Sequence, residues 1–134
     1  MQARAVWVAI ARSTGQPAPL EPSFLRVYGG SAQGRAVSAR LSHPGPPISA
    51  AGRPWPLRAS DFDTAGHVNN AVHWAAVEDA LATQDWLPRR AEVEYHQPAL
   101  PAHEPCLVTS RGTGLLCVWL LDGTQRLASA RLFR

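Results

Sequence analysis

Apolar and polar positions alternate in several stretches of the chain and follow a helical period in one. From Ala5 to Ala11, Val6, Val8 and Ile10 share a face and Trp7 takes the other, which predicts a strand ended by the turn signal Ser13-Thr14-Gly15-Gln16-Pro17. It begins almost at the first methionine, so no earlier strand is expected to pair with it. The next stretch has no sustained period. It holds Pro17, Pro19, Pro22, Pro44, Pro46, Pro47 and Pro54, with Gly29, Gly30, Gly34, Gly45 and Gly52, and reads as a linker with local order. Inside it, Glu21 to Tyr28 predicts two turns of helix, with Pro22 tolerated in the first turn and Gly29-Gly30 as the stop. Arg35 to Leu41 reads as a short extended piece.

From Arg53 the texture changes. Trp55, Leu57 and Ala59 alternate with Pro54, Pro56 and Arg58, as in a strand whose proline side cannot donate ladder bonds. The polar turn Asp61-Phe62-Asp63-Thr64-Ala65-Gly66 then leads into a helix predicted from about His67 to Thr83. That helix is apolar nearly all round, through Val68, Ala71, Val72, Trp74, Ala75, Ala76, Val77, Ala80 and Leu81, so other elements are expected to wrap it. Four strands follow: Ala91 to Gln97, Cys106 to Arg111, Leu115 to Leu121 (apolar throughout, hence buried on both faces) and Gln125 to Phe133. Gly112-Thr113-Gly114 and Asp122-Gly123 are the hairpin turns. A sheet with one helix must curl around it to bury so apolar a surface. The expected class is therefore α+β, an antiparallel sheet wrapped around one long central helix, which is the layout of the hotdog fold.

Composition narrows the picture further. At 134 residues, with 46% of them apolar and 17% charged, the chain is of single-domain size. The longest apolar runs, Ala5 to Ala11 and Leu115 to Leu121, are seven residues each, far short of the ~20 that span a bilayer. The Met1-Gln2-Ala3-Arg4 start lacks the layout of a secretory signal, so no membrane role and a cytoplasmic location are expected. Net charge is only +3, with acids spread along the chain, which argues against nucleic acid as a partner. All 13 basic residues are arginines. Arg35, Arg40, Arg53, Arg58, Arg89 and Arg90 are read first as a solvated surface, with an acidic carrier protein as the functional alternative. Cys106 and Cys117 are placed opposite about Leu120 and Thr109, so they do not face each other and both are expected as free thiols. Without a second close pair of ligands, and with His67 and His73 six apart, no metal site and no cofactor are expected.

The stretch with chemical content is Asp61-Phe62-Asp63-Thr64-Ala65-Gly66-His67-Val68-Asn69-Asn70. Two carboxylates stand ahead of a helix N-terminus, whose unpaired N–H groups and partial positive charge favour an oxyanion. Gly66 lets a substrate approach the backbone, a carboxylate there can act as base or nucleophile, and His67 can orient a carbonyl. Ordinary helix capping accounts for the same Asp, Thr and Asn residues. Glu94 and His96 project from one strand face and are read as solvent-exposed.

Asp63-Thr64-Ala65-Gly66-His67-Val68-Asn69-Asn70, with Trp74 and Glu78 in the helix and Glu92-Val93-Glu94-Tyr95 in the next strand, resembles the signature of the acyl-ACP thioesterases over about residues 53–134. Trp7 to Pro17, then Phe24-Leu25 and Tyr28, resembles the last strand of that family's first hotdog domain and the link to the second. The resemblance implies three segments: residues 1–19 as a remnant strand of an upstream hotdog, 20–52 as a linker with a short helix, and 53–134 as a hotdog domain. It places Asp63 and His67 on catalytic positions, with the backbone of Gly66 and His67 as the oxyanion pocket. Asn69 and Asn70 would support the site, and the acyl chain would run past Val72 and Trp74. Ala65 stands where the plant enzymes have an asparagine, and Pro98 and Ala99 where the family has a glutamate and a cysteine. A small residue before the glycine of Asp-x-x-Gly resembles instead the 4-hydroxybenzoyl-CoA thioesterase type, in which one aspartate acts beside the helix N-terminus. The implied function is hydrolysis of an acyl thioester, borne by acyl carrier protein or CoA, to a free fatty acid, in a homodimer. The alternative is a non-catalytic module that binds an acyl chain or dimerises. A dehydratase of the same fold is a third reading, and the local sequence it needs is absent.

Overall fold

The computed structural model describes residues 5–6, 8–11, 13–14, 16–32 and 40–134. Trp7 and most of the extended piece expected at Arg35 to Leu41 lie outside them. Contacts divide the chain into two units, Met1–Arg40 and Leu41–Arg134.

In the first unit the strand expected at Ala5 to Ala11 is reduced to a single antiparallel bridge, Ile10 to Pro17. Bonds from Ala11 N–H to Gln16 O at 2.9 Å and from Ala18 N–H to Ala9 O at 2.8 Å close the turn. The returning arm cannot extend the ladder, because Pro17 and Pro19 carry no N–H. Helix α1 (Pro22–Tyr28) forms as expected, with proline in its first turn. Gly29 does not stop it by turning left-handed. Its φ is −58°, and the chain runs on into a 3₁₀ turn at Gly29–Ala32.

The second unit holds β1 (Gly52–Pro54), a 3₁₀ turn (Ala59–Asp61), α2 (Asn70–Leu81), β2 (Arg90–Tyr95), β3 (Cys106–Gly112), β4 (Leu115–Asp122) and β5 (Gln125–Phe133). The five strands form one antiparallel sheet in the order β1-β3-β4-β5-β2. The hairpins close through Thr113-Gly114 and Gly123-Thr124. Gly114 and Gly123, at φ 67° and 56°, adopt the backbone conformation that these two-residue turns require. The strand expected from Arg53 pairs only as far as Pro54, with one further bond from Trp55 N–H to Pro105 O. Prolines at 54 and 56 remove the donors that would continue it. Cys106 faces Leu121 and Cys117 faces Ser110, one residue from the expected register, and both thiols are free.

The helix is shorter than expected and covered on one side only. It has 12 residues, about 18 Å, and starts at Asn70. Val68 is drawn into extended backbone before it, bridging Phe62 and donating its N–H to Ala99 O at 2.9 Å. Asn69 caps the helix, its Oδ1 accepting from Ala71 N–H at 2.9 Å. His73, Ala76, Val77 and Ala80 face the sheet, at helical spacing, while Ala71, Trp74, Ala75 and Glu78 face away and are exposed. The long, fully wrapped helix is thus corrected to a short one lying on a sheet. Its core partners include the fully buried Leu107, Leu116, Leu127 and Leu132, each side chain worth roughly 1.5–3 kcal/mol of burial. Val108, Cys117 and Trp119 make a smaller cluster on the opposite face. Among the described residues, no helix is long and apolar enough to cross a membrane.

Candidate active site

Asp63 opens a tight hairpin. Its carbonyl accepts from Gly66 N–H at 3.0 Å, its N–H donates to His67 O at 2.8 Å, and Phe62 bridges Val68 beyond. Gly66, at φ 76°, supplies the left-handed step this turn needs. No heavy atom comes within 4 Å of where a Cβ would stand on Gly66, so the space over the turn is open. The Asp63 carboxylate folds back over the loop, with Oδ1 accepting from Ala65 N–H at 2.8 Å and from His67 N–H at 3.2 Å. Asp63, Gly66 and His67 are all exposed.

The structure therefore brings together Asp63, Gly66 and His67, but not as expected. The amides proposed for an oxyanion are already engaged: Gly66 N–H by the Asp63 carbonyl, and His67 N–H by the Asp63 carboxylate. His67 lies three residues before α2 rather than in its first turn, since Val68 and Asn69 intervene as extended backbone and cap. Asp61 buttresses the turn, its Oδ2 accepting from Arg58 N–H at 2.7 Å and its carbonyl from Asn69 N–H at 2.8 Å. Asn69 is the helix cap, and Asn70 receives on its carbonyl the Tyr95 hydroxyl at 3.4 Å. Val72 is half-buried against the core, whereas Trp74 is 39% exposed. Two positions apart on a helix, they diverge by about 200° and do not line one channel. Ala99, standing where the family resemblance expects a cysteine, is 1% exposed and anchors Val68.

The sheet's outer face carries a polar cluster that sequence reasoning missed. Ser129 Oγ sits between His43 Nδ1 at 2.9 Å and His96 Nε2 at 2.8 Å. Glu94 accepts from the amides of Ser42 at 2.6 Å and His43 at 3.0 Å, and the Trp119 indole N–H donates to Pro44 O at 2.8 Å. Glu94 and His96, expected in solvent, are partly buried because Ser42 to Pro44 lie over them. Burial would raise the Glu94 pKa, but the Ser42 and His43 amides, the His43 ring and the Ser42 hydroxyl together bring it below the usual value. His96 is held low by burial and by Arg126, with Glu94 opposing. The available signal was the alternation itself, which put Glu92, Glu94 and His96 on one face. What covers that face lies about fifty residues earlier in the sequence. Among the described residues, no group of three or more His, Cys, Asp or Glu side chains is arranged to hold a metal ion.

Comparison with known proteins follows the same outline. The family model for the acyl-ACP thioesterase C-terminal domain matches residues 49–103. An uncharacterized protein of Mycobacterium tuberculosis is 30% identical over 104 residues, which are 76% of this chain and 41% of that protein. The chain thus spans about two fifths of the length of the curated relatives it matches. Among solved structures, the 12:0-ACP thioesterase from Umbellularia californica superposes with a TM-score of 0.64 at 16% identity, over 92% of this chain and 52% of that one. A thioesterase from Thermus thermophilus, crystallised with coenzyme A and zinc, gives 0.50 at 23% identity, over 60% of this chain and 74% of that one. At such identities the structural likeness is one of fold. Over residues 49–103 the chain is similar to the C-terminal domain of the acyl-ACP thioesterases, and its fold is similar to that of solved hotdog-fold thioesterases.

Proposed function

We propose that the chain hydrolyses acyl thioesters to free acids, with Asp63 as the carboxylate that activates water or attacks the thioester carbonyl. The supporting observation is the hairpin at Asp63: two amides hold Oδ1 and so set the plane of an exposed carboxylate beside the open space over Gly66. In this reading Oδ2 takes a proton from water as its oxygen attacks the carbonyl carbon. When the tetrahedral intermediate collapses, the C–S bond breaks and the thiolate takes that proton. The positive end of α2, beginning at Asn70, and the His67 ring favour the developing oxyanion, since the amides of Gly66 and His67 are taken up within the turn. Acyl carrier protein or CoA would present the thioester, and a homodimer is the proposed assembly.

A second reading is favoured by the same turn. An Asp63 engaged only with its own loop, followed by Ala65, also suits a non-catalytic module that binds an acyl chain or dimerises. Assay of the native chain and Asp63→Ala against acyl-CoA and acyl-ACP panels separates the two. The hydrolase reading expects turnover that falls at least about 100-fold in Asp63→Ala, with circular dichroism unchanged. Equal turnover by both chains removes the mechanism. A native chain that binds acyl groups without turnover leaves the module. Sizing chromatography tests the dimer, and a monomer at working concentration overturns it.

A further inference from the structure

A short strap crosses the outer face of the sheet, held there by side chains rather than by a ladder. Ser42 to Pro47 belong to no strand. Pro44, Pro46 and Pro47 carry no N–H, so the strap cannot pair as a further strand. Its amides at Ser42 and His43 donate instead to the Glu94 carboxylate, at 2.6 and 3.0 Å. Its carbonyls accept from Arg126 (His43 O, 3.1 Å) and from the Trp119 indole (Pro44 O, 2.8 Å). A backbone ladder does not titrate between about pH 5 and 8, but the contacts that replace it here surround two imidazoles, which do.

The hydrogens around Ser129 set a limit on charge. His43 Nδ1 lies 2.9 Å and His96 Nε2 2.8 Å from one hydroxyl, which has a single hydrogen to give. With one ring donating to Oγ, the hydroxyl hydrogen goes to the other ring, whose facing nitrogen must be bare. That arrangement holds with both rings neutral, and equally with the donating ring charged. It fails when both are charged, because two N–H groups then face Oγ and the hydroxyl hydrogen loses its acceptor. The surrounding charges act in the same sense. Glu92 and Glu94 stand 3.7 and 3.8 Å from the His43 ring, and Glu94 also 3.8 Å from His96. Glu92 is already paired with Arg90 and faces Arg131 at 4.0 Å, while Arg126 bonds the strap itself. Burial and then Arg126 hold His96 below the ordinary histidine value; Glu94 pulls the other way, and a charge on His43 pushes it lower.

We propose that the strap is an acid-released latch: a proton on each of His43 and His96 detaches Ser42 to Pro47 from the sheet and uncovers the buried Trp119, while the five strands stay paired. The main core lies on the opposite face and includes no residue of the strap, so it does not depend on the latch. Glu94, held below the usual carboxylate value, keeps its charge down to below about pH 4.5, and the histidines therefore act first. The Trp119 indole N–H reports the state of the latch by nuclear magnetic resonance, as its exchange protection relative to free tryptophan at the same pH. Each proton of difference between the closed and open states shifts their ratio by up to about tenfold per pH unit. In the native chain the protection should fall at least about 10-fold between about pH 7 and pH 5, with the ladder amides of β3 and β4 still protected. His96→Gln and His43→Asn each keep an oxygen that accepts from Ser129 but cannot take up the second proton, so their protection should stay within about twofold over that range. The proposal is overturned by an indole already unprotected at pH 7, by protection that stays flat in the native chain, or by a folded variant that loses protection as the native chain does. Loss of the ladder amides together with the indole overturns it too, since the sheet itself would then have opened. If one variant does not fold, the other decides.

Discussion

Two histidines are buried on opposite faces of one sheet, and their surroundings differ in kind. On the outer face His43 is 8% exposed, its ring bonded to Ser129 and its amide to Glu94. On the helix face His73 is 5% exposed among Val77, Val93 and Leu107, and its ring nitrogens make no well-formed hydrogen bond among the described residues, with the Asn69 carbonyl the nearest acceptor. Burial alone does not decide what such a residue costs. A paired polar group contributes to stability, while an unpaired one subtracts from it by the desolvation it has not recovered. The outer face uses its polar residues to hold Ser42 to Pro44 on the sheet. The helix face buries one polar ring among apolar side chains with no network of that kind around it.

Breaking the outer network should have the largest effect. Ser129→Ala strips the shared hydroxyl from two imidazoles and should lower unfolding free energy by about 2–4 kcal/mol, read from urea melts. A loss no larger than that of an ordinary surface substitution would mean the cluster does not hold Ser42 to Pro44 in place.

Acid should act next, on both faces at once. His73 and His96 have folded-state values below the ordinary one, so near pH 6.5 the unfolded chain takes up protons that the native chain refuses. Their penalty is absent above that value and grows as pH falls toward each folded pKa. Glu94 runs in the same direction at lower pH, since its value is depressed: its stabilisation is present above about 4.5 and is lost as pH falls through the folded value. Melting temperature should therefore drop steadily below about pH 6.5. A flat profile between neutrality and pH 5 would contradict the environments assigned to both histidines.

The smallest effect sharpens the contrast. His73→Phe replaces an unpaired ring with an apolar one of similar shape and should be neutral or stabilising by up to about 1 kcal/mol, while flattening part of the acid slope. A loss of several kcal/mol would show that the ring has a partner in solution.

Local features of the chain were legible in its residues. The hairpin glycines 114 and 123, the doubly buried β4, the proline-led α1 and the Asp63-to-Gly66 turn each depend on neighbours a few positions away, which is the range over which periodicity and turn chemistry act. Tertiary structure decided the rest. It set β2 beside β5 rather than beside β3, drew Val68 out of the helix to meet Ala99, and laid Ser42 to Pro44 over Glu94 and Ser129. Those contacts join residues some thirty to ninety positions apart, and alternation names the face a side chain takes without naming what will cover it. The same limit explains the candidate site. The sequence put an aspartate, a glycine and a histidine together, but only the fold determined that the aspartate would occupy the amides expected to await a substrate.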